Sequence, residues 1–150
     1  MFRDIKAFNY SSFAASHKET IINHCSFYNN YSVGSIIAVS SFGNGIKSKL
    51  RFTNSEIYNN YGGQVMSSLF TDSSIVQGNQ FYNNHTTNNL FARSSYGDTS
   101  THVFIFDNNE LHNNHISGET ALCSSHSGGF DFITNNKVTT IRPPCEEHYQ

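Results

Sequence analysis

The chain has 150 residues, 13% of them charged, with a formal net charge of −2 and a pI near 6.4. One domain is expected at that length; the charge balance excludes both the basic footprint of a nucleic-acid binder and an acidic solvating tail. No apolar run approaches the roughly 20 residues that span a bilayer, so no membrane insertion is expected, while 13 Phe and 8 Tyr supply the apolar mass of a packed core rather than an Asn-rich disordered tract.

From the amino end, Met1-Phe-Arg-Asp-Ile-Lys-Ala-Phe-Asn-Tyr10 carries charges of both signs and no stretch of signal-peptide length. Residues 1–11 read as an N-terminal cap or a truncated edge. Ser12-Phe-Ala-Ala-Ser16 has the form of a serine-ended strand from a coil whose first half is missing. The first copy of a ten-residue phrase follows, Ile22-Asn-His-Cys-Ser-Phe27-Tyr-Asn-Asn-Tyr31. The others are Phe52-Thr-Asn-Ser-Glu-Ile57-Tyr-Asn-Asn-Tyr61, Val76-Gln-Gly-Asn-Gln-Phe81-Tyr-Asn-Asn-His85 and Phe106-Asp-Asn-Asn-Glu-Leu111-His-Asn-Asn-His115. A worn fifth copy runs from Ile133 to Val138. Anchored on Phe27, Ile57, Phe81, Leu111 and Val138, the steps are 30, 24, 30 and 27 residues.

Each copy is followed by a serine-ended stretch, at 35–41, 64–68, 89–95 and 120–125, and then by a short apolar stretch, at 49–52, 74–76, 103–106 and 130–132. These pieces are rich in β-branched and aromatic residues and are bounded by Gly, Asn and Ser, which is strand chemistry. No segment sustains helical spacing. The expected fold is all-β, a parallel β-helix (solenoid) of about five coils with three short strands per coil and almost no helix, over residues 12–141, with 142–150 as a tail.

Stacked coils align equivalent residues as ladders. Phe27, Ile57, Phe81, Leu111 and Val138 are expected inside, beside Ile22, Phe52, Val76 and Phe106. Asn30, Asn60, Asn84 and Asn114 are expected as an asparagine ladder, each amide donating to the next and satisfying turn backbone groups. Tyr28, Tyr58, Tyr82 and His112 form one aromatic column, and Tyr31, Tyr61, His85 and His115 another. Ile141 replaces the ladder asparagine near the carboxyl end, and Pro143 and Pro144 forbid another strand.

Phe27-Tyr-Asn-Asn30, Phe81-Tyr-Asn-Asn84 and Phe106-Asp-Asn-Asn109, with Gly62-Gly-Gln-Val65 and Val33-Gly-Ser-Ile36, carry a resemblance to known families. The chain resembles the right-handed parallel β-helix (pectin-lyase-like) superfamily, and is similar to the repeat region of the polymorphic outer membrane proteins, whose signatures are Phe-x-x-Asn and Gly-Gly-Ala-Ile. The resemblance implies a right-handed coil. It also implies either polysaccharide cleavage or cell-surface adhesion, and an extracellular or surface location if the chain is a fragment, since no signal peptide or transmembrane segment is read here.

An enzyme that hydrolyses glycosides needs two carboxyl groups about 5 to 9.5 Å apart. Asp72, Asp98, Asp107 and Asp131 are scattered, and the outward column Arg51, Ile75, Ile105, Asp131 is largely apolar, so no catalytic residue is expected. His112-x-x-His115, with His85 one coil earlier, is the candidate metal site, but these histidines replace tyrosines at the same positions, which favours stacking. No metal and no cofactor are expected. The three cysteines, Cys25, Cys123 and Cys145, do not form a disulfide framework; Cys25 and Cys123 read as small interior residues, and a Cys123–Cys145 bridge stays open. Sequons at Asn9, Asn30 and Asn84 follow from Asn and Ser/Thr abundance. The remaining reading is a recognition or adhesin-like module whose two aromatic columns meet carbohydrate or a host or cell-surface protein.

Overall fold

The computed structural model describes residues 1–7, 10–15, 18–40, 48–69, 71–94, 103–117, 123–125 and 130–142, the side chains of 93–94, 123–125 and 140–142 excepted. In chain order the strands are β1 (Phe2–Arg3), β2 (Lys6–Ala7), β3 (Phe13–Ala15), β4 (Glu19–Asn23), β5 (Ser26–Tyr28), β6 (Tyr31–Ser40), β7 (Lys49–Thr53), β8 (Glu56–Tyr58) and β9 (Tyr61–Leu69). They continue as β10 (Ser73–Gln77), β11 (Gln80–Tyr82), β12 (His85–Ser94), β13 (Val103–Asp107), β14 (Glu110–Ile116), β15 (Cys123–Ser125), β16 (Phe130–Thr134) and β17 (Lys137–Arg142). No described residue is helical, and so none belongs to a helix long and apolar enough to cross a membrane.

Every strand pairing among the described residues is parallel. The first face is a 5-stranded sheet in the order β16-β13-β10-β7-β4. The second carries β1, β5, β8, β11 and the starts of β14 and β17, and the third carries β2, β3, β6, β9, β12 and β15. Because β14 runs on through the corner, the second and third faces join as one 12-stranded sheet. The chain is an all-β parallel β-solenoid of about four turns.

About five coils were expected, and the difference lies at the two ends. The fifth copy provides β16 and β17, but the chain has no described third-face strand after Arg142. At the amino end, β3 pairs with Ile37–Val39 as the expected serine-ended strand. The first half of that coil, expected to be missing, is present in part: β1 pairs with Phe27–Tyr28 and β2 with Tyr31–Ser32, while the first face has no described strand beyond β4. Phe2 stacks on Phe27 with ring centroids 4.7 Å apart and extends the inner ladder upward.

The two kinds of corner explain why the phrase has ten residues. Each five-residue half is an apolar residue, an outward residue, a residue at positive φ, a corner residue that is polar and buried in most copies, and a residue that opens the next strand. At the second corner the positive-φ residues are Asp4, Asn29, Asn59, Asn83 and Asn113, and at the first they are His24, Asn54, Gly78, Asn108 and Asn135. Asn tolerates this conformation better than other side chains, and Gly adopts it freely.

The uneven steps are explained on the third face. Ser40, Leu69 and Ser94 share a register, as do Lys49, Ser73 and Val103 at the start of the next turn. Nine steps of chain join Ser40 to Lys49 and Ser94 to Val103, but four join Leu69 to Ser73. Bulges in β6 and β12 take up one further residue each against β9. The short connection and the absent bulge together make the 24-residue coil.

Ile22, Phe27, Phe52, Ile57, Val76, Phe81, Phe106 and Leu111 are all buried, as expected, and meet Ile37, Met66 and Phe91 from the third face. Val138 does not join them. It stands in register with Leu111 but is 46% exposed, as Ile133 is 50% exposed, because no described coil covers this end. A second correction concerns the outward column of the first face. Asp131 is in register with inward-facing Phe104, and Phe132 takes the place beside Ile105.

Candidate functional site

The asparagine ladder sets the surface beside it. Asn60 Nδ2 donates to Asn84 Oδ1 at 3.0 Å and to the carbonyl of Phe27 at 3.0 Å. Asn84 Oδ1 also accepts the backbone N–H of Asn60 at 3.2 Å. Asn30 bonds to Asn60 and Asn84 to Asn114 in the same way. The carbonyls of Asn30, Asn60 and Asn84 accept the N–H of Tyr61, His85 and His115. One corner position therefore spends every polar group it has on holding neighbouring coils in register, a placement in which unpaired groups would be costly.

Sequence reasoning missed a second ladder at the first corner. Asn79 Nδ2 donates to Asn109 Oδ1 and Asn109 Nδ2 to Asn136 Oδ1, each at 3.0 Å. Ser55 stands one coil above Asn79, with its Oγ accepting the N–H of Cys25 at 3.0 Å. The signal was present: Asn79 and Asn109 follow Val76 and Phe106 by three residues, as Asn84 follows Phe81. Cys25, at the head of this ladder, is a free, half-buried cysteine packed against the core.

The two aromatic columns flank the second corner. Tyr28 stacks on Tyr58 at 4.9 Å, Tyr58 on Tyr82 at 4.8 Å and Tyr82 on His112 at 5.0 Å, with ring planes within 6°. Across the corner, Tyr31 stacks on Tyr61 at 5.5 Å, Tyr61 on His85 at 4.7 Å, and His85 meets His115 at 4.4 Å. Tyr61 is exposed and the other seven rings are half-buried. Such pairs add about 0.5–1.5 kcal/mol each beyond their buried area. Burial, then Tyr28 and Glu56, raise the Tyr58 hydroxyl pKa; burial, Glu56 and Tyr58 raise that of Tyr82. Both remain hydrogen-bond donors at neutral pH.

Both columns run further than the sequence suggested. Arg3 is in register with Tyr28, with its Nη1 donating to the hydroxyl at 3.5 Å, and Lys6 is in register with Tyr31. At the other end Thr139 and Arg142 follow His112 and His115.

The histidines of the His112-x-x-His115 candidate fall into different columns on opposite sides of the corner; His85 and His115 are the pair that meet. Among the described residues no three His, Cys, Asp or Glu side chains gather as they would around a metal ion.

The acids among the described residues are dispersed over the first two faces. Asp107 ends β13, where Thr134, Asn135 and Gln77 donate to its carboxylate; Thr134 and Asn135 lead the causes that lower its pKa. Asp72 precedes β10 with one oxygen buried, and Asp131 lies in the end strand. Glu56 and Glu110, not weighed from the sequence, share a column with Gln80 between them. Two strand spacings put them about 10 Å apart. Lys137 Nζ donates to Glu110 at 2.8 Å and, by that bond and its charge, lowers the carboxyl pKa. A groove of about 310 Å³ passes Gly78, Gln80, Asn108, Glu110 and Lys137 on this first corner.

Asn30 and Asn84 are buried, so neither sequon is open to a glycan in this fold. Asn9, Asp98, Cys145, the side chain of Cys123 and the tail from 143 lie outside the described residues. No family model, curated protein or solved structure matches the chain.

Proposed function

We propose that the chain is a non-catalytic β-helix segment, part of a larger repeat protein, serving as a surface recognition or adhesin-like structural module. The observation that carries this reading is the pair of ring columns held in register along the solenoid by the asparagine ladder. Neighbouring rings cover one another's faces. A ligand therefore meets ring edges, phenol hydroxyls and imidazole nitrogens, repeated at about the 4.8 Å strand spacing. An extended carbohydrate, or an extended segment of a cell-surface protein, laid along the axis fits such a periodic row of donors. The likeness of Phe27-Tyr-Asn-Asn30 and its copies to pectin-lyase-like and polymorphic outer membrane protein repeats supports the reading by analogy.

The alternative is a carbohydrate-active enzyme, lyase or hydrolase, of the pectin-lyase-like fold. Its weakness is the carboxylate arrangement: Glu56 and Glu110 are separated by Gln80 on the strand between them, and Glu110 is tied to Lys137.

A glycan array, a cell-surface binding assay and a polysaccharide-depolymerisation screen on the purified chain test both. Binding without cleavage, weakened several-fold by Tyr58→Phe with Tyr82→Phe while the melting temperature holds, is the expected result. Those substitutions remove hydroxyls and leave the stack. Cleavage would favour the enzyme, and absence of binding to any of these surfaces would overturn the recognition reading.

A further inference from the structure

His85 and His115 hold the same position on adjacent strands, paired in register between β12 and β14. Their ring centroids are 4.4 Å apart, closer than any other pair in the two columns, and their planes are tilted by 38° where the tyrosine pairs lie within 6°. The backbones beneath them are fixed, since the N–H groups of His85 and His115 donate to Asn60 and Asn84 at 2.8 Å. What remains free is rotation of the two side chains.

We infer that His85 and His115 form an open, two-histidine site for a divalent transition-metal ion. With metal–nitrogen bonds of about 2.0–2.1 Å, two imidazoles bound side by side to one ion hold their centroids about 4.5–5 Å apart. Small rotations of the rings reach that arrangement from 4.4 Å without moving a strand. Imidazole donors favour Cu²⁺ over Zn²⁺ by the usual order of affinities. Water, or a donor from a bound partner, completes the coordination. The site shares its two rings with the column invoked for recognition, but it does not depend on that reading and survives its failure.

The test is titration of the chain with Cu²⁺ alone, and with Zn²⁺ alone, in a non-coordinating buffer at neutral pH, read by calorimetry and, for copper, by electron paramagnetic resonance. One Cu²⁺ per chain with coupling to two nitrogens is expected. His85→Gln and His115→Gln should each weaken binding about tenfold or more, and His112→Gln, in the other column, should leave it within about twofold. Unchanged affinity in the His85 and His115 variants, or an equal loss in His112→Gln, would each overturn the site. Circular dichroism on every variant separates a lost ligand from a lost fold.

Discussion

Asn114 Oδ1 accepts both the backbone N–H and the side-chain amide of Asn84, each at 3.0 Å. Asn83, one residue earlier, sits at φ 54 and faces solvent. The two members of the Asn-Asn pair therefore do different work, one supplying amide chemistry and the other backbone conformation. Asn84→Leu strands the N–H and amide of Asn60 and the carbonyl of Ile57, and should cost about 3 kcal/mol or more in denaturant unfolding. Asn83→Gly should stay within about 0.5 kcal/mol, because glycine accepts positive φ. Equal effects would refute this division.

The second ladder predicts a gradient along itself. Asn109 uses its amide on both sides, toward Val76 and Asn136. Asn136 donates to Phe106 and has no next rung among the described residues. Asn109→Leu should therefore resemble Asn84→Leu, while Asn136→Leu should cost about half as much. A Leu at 136 that is as damaging as one at 109 would show that the ladder continues past it.

Gly63 is required by close approach of backbones. A Cβ there would lie 2.7 Å from the carbonyl oxygen of Val33 and 3.0 Å from that of Gly34. Neither can swing aside as a side chain would. Gly63→Ala should destabilise by about 1–3 kcal/mol, with an unchanged melting temperature as the contrary outcome.

The histidine pair makes stability depend on pH in a defined window. His85 has Tyr61 on one side and His115 on the other, and its pKa in the fold lies below the ordinary value of 6.5. The folded chain therefore holds fewer protons at this site than the unfolded one. Its stabilisation is complete above about pH 6.5 and declines as the pH falls below that, levelling once the folded pKa is passed. Asp107 and Glu110, whose pKa values are lowered from 3.8 and 4.5, lose their contributions only at lower pH. Melting temperatures between pH 7.5 and pH 5 should thus fall less steeply in His85→Gln than in the parent chain. Parallel curves would contradict the assignment.

Self-similarity in the chain was sufficient to read the parallel solenoid, the inner apolar ladder through Leu111, the ladder from Asn30 to Asn114 and both ring columns. Each rests on one residue type recurring at one offset, and stacking at the strand spacing turns that recurrence directly into contact. The second ladder was legible in principle but disguised, because Cys25 and Ser55 occupy its first two positions.

Other features depended on three-dimensional placement. Whether Val138 is buried depends on what lies beyond it, not on its place in a repeat. Asp131 and Phe132 exchange faces on a one-residue change of register, since strand side chains alternate. The sequence set His85 and His115 in one column, but their approach to 4.4 Å and the 38° tilt between their rings were decided only by how the side chains pack on the folded strands.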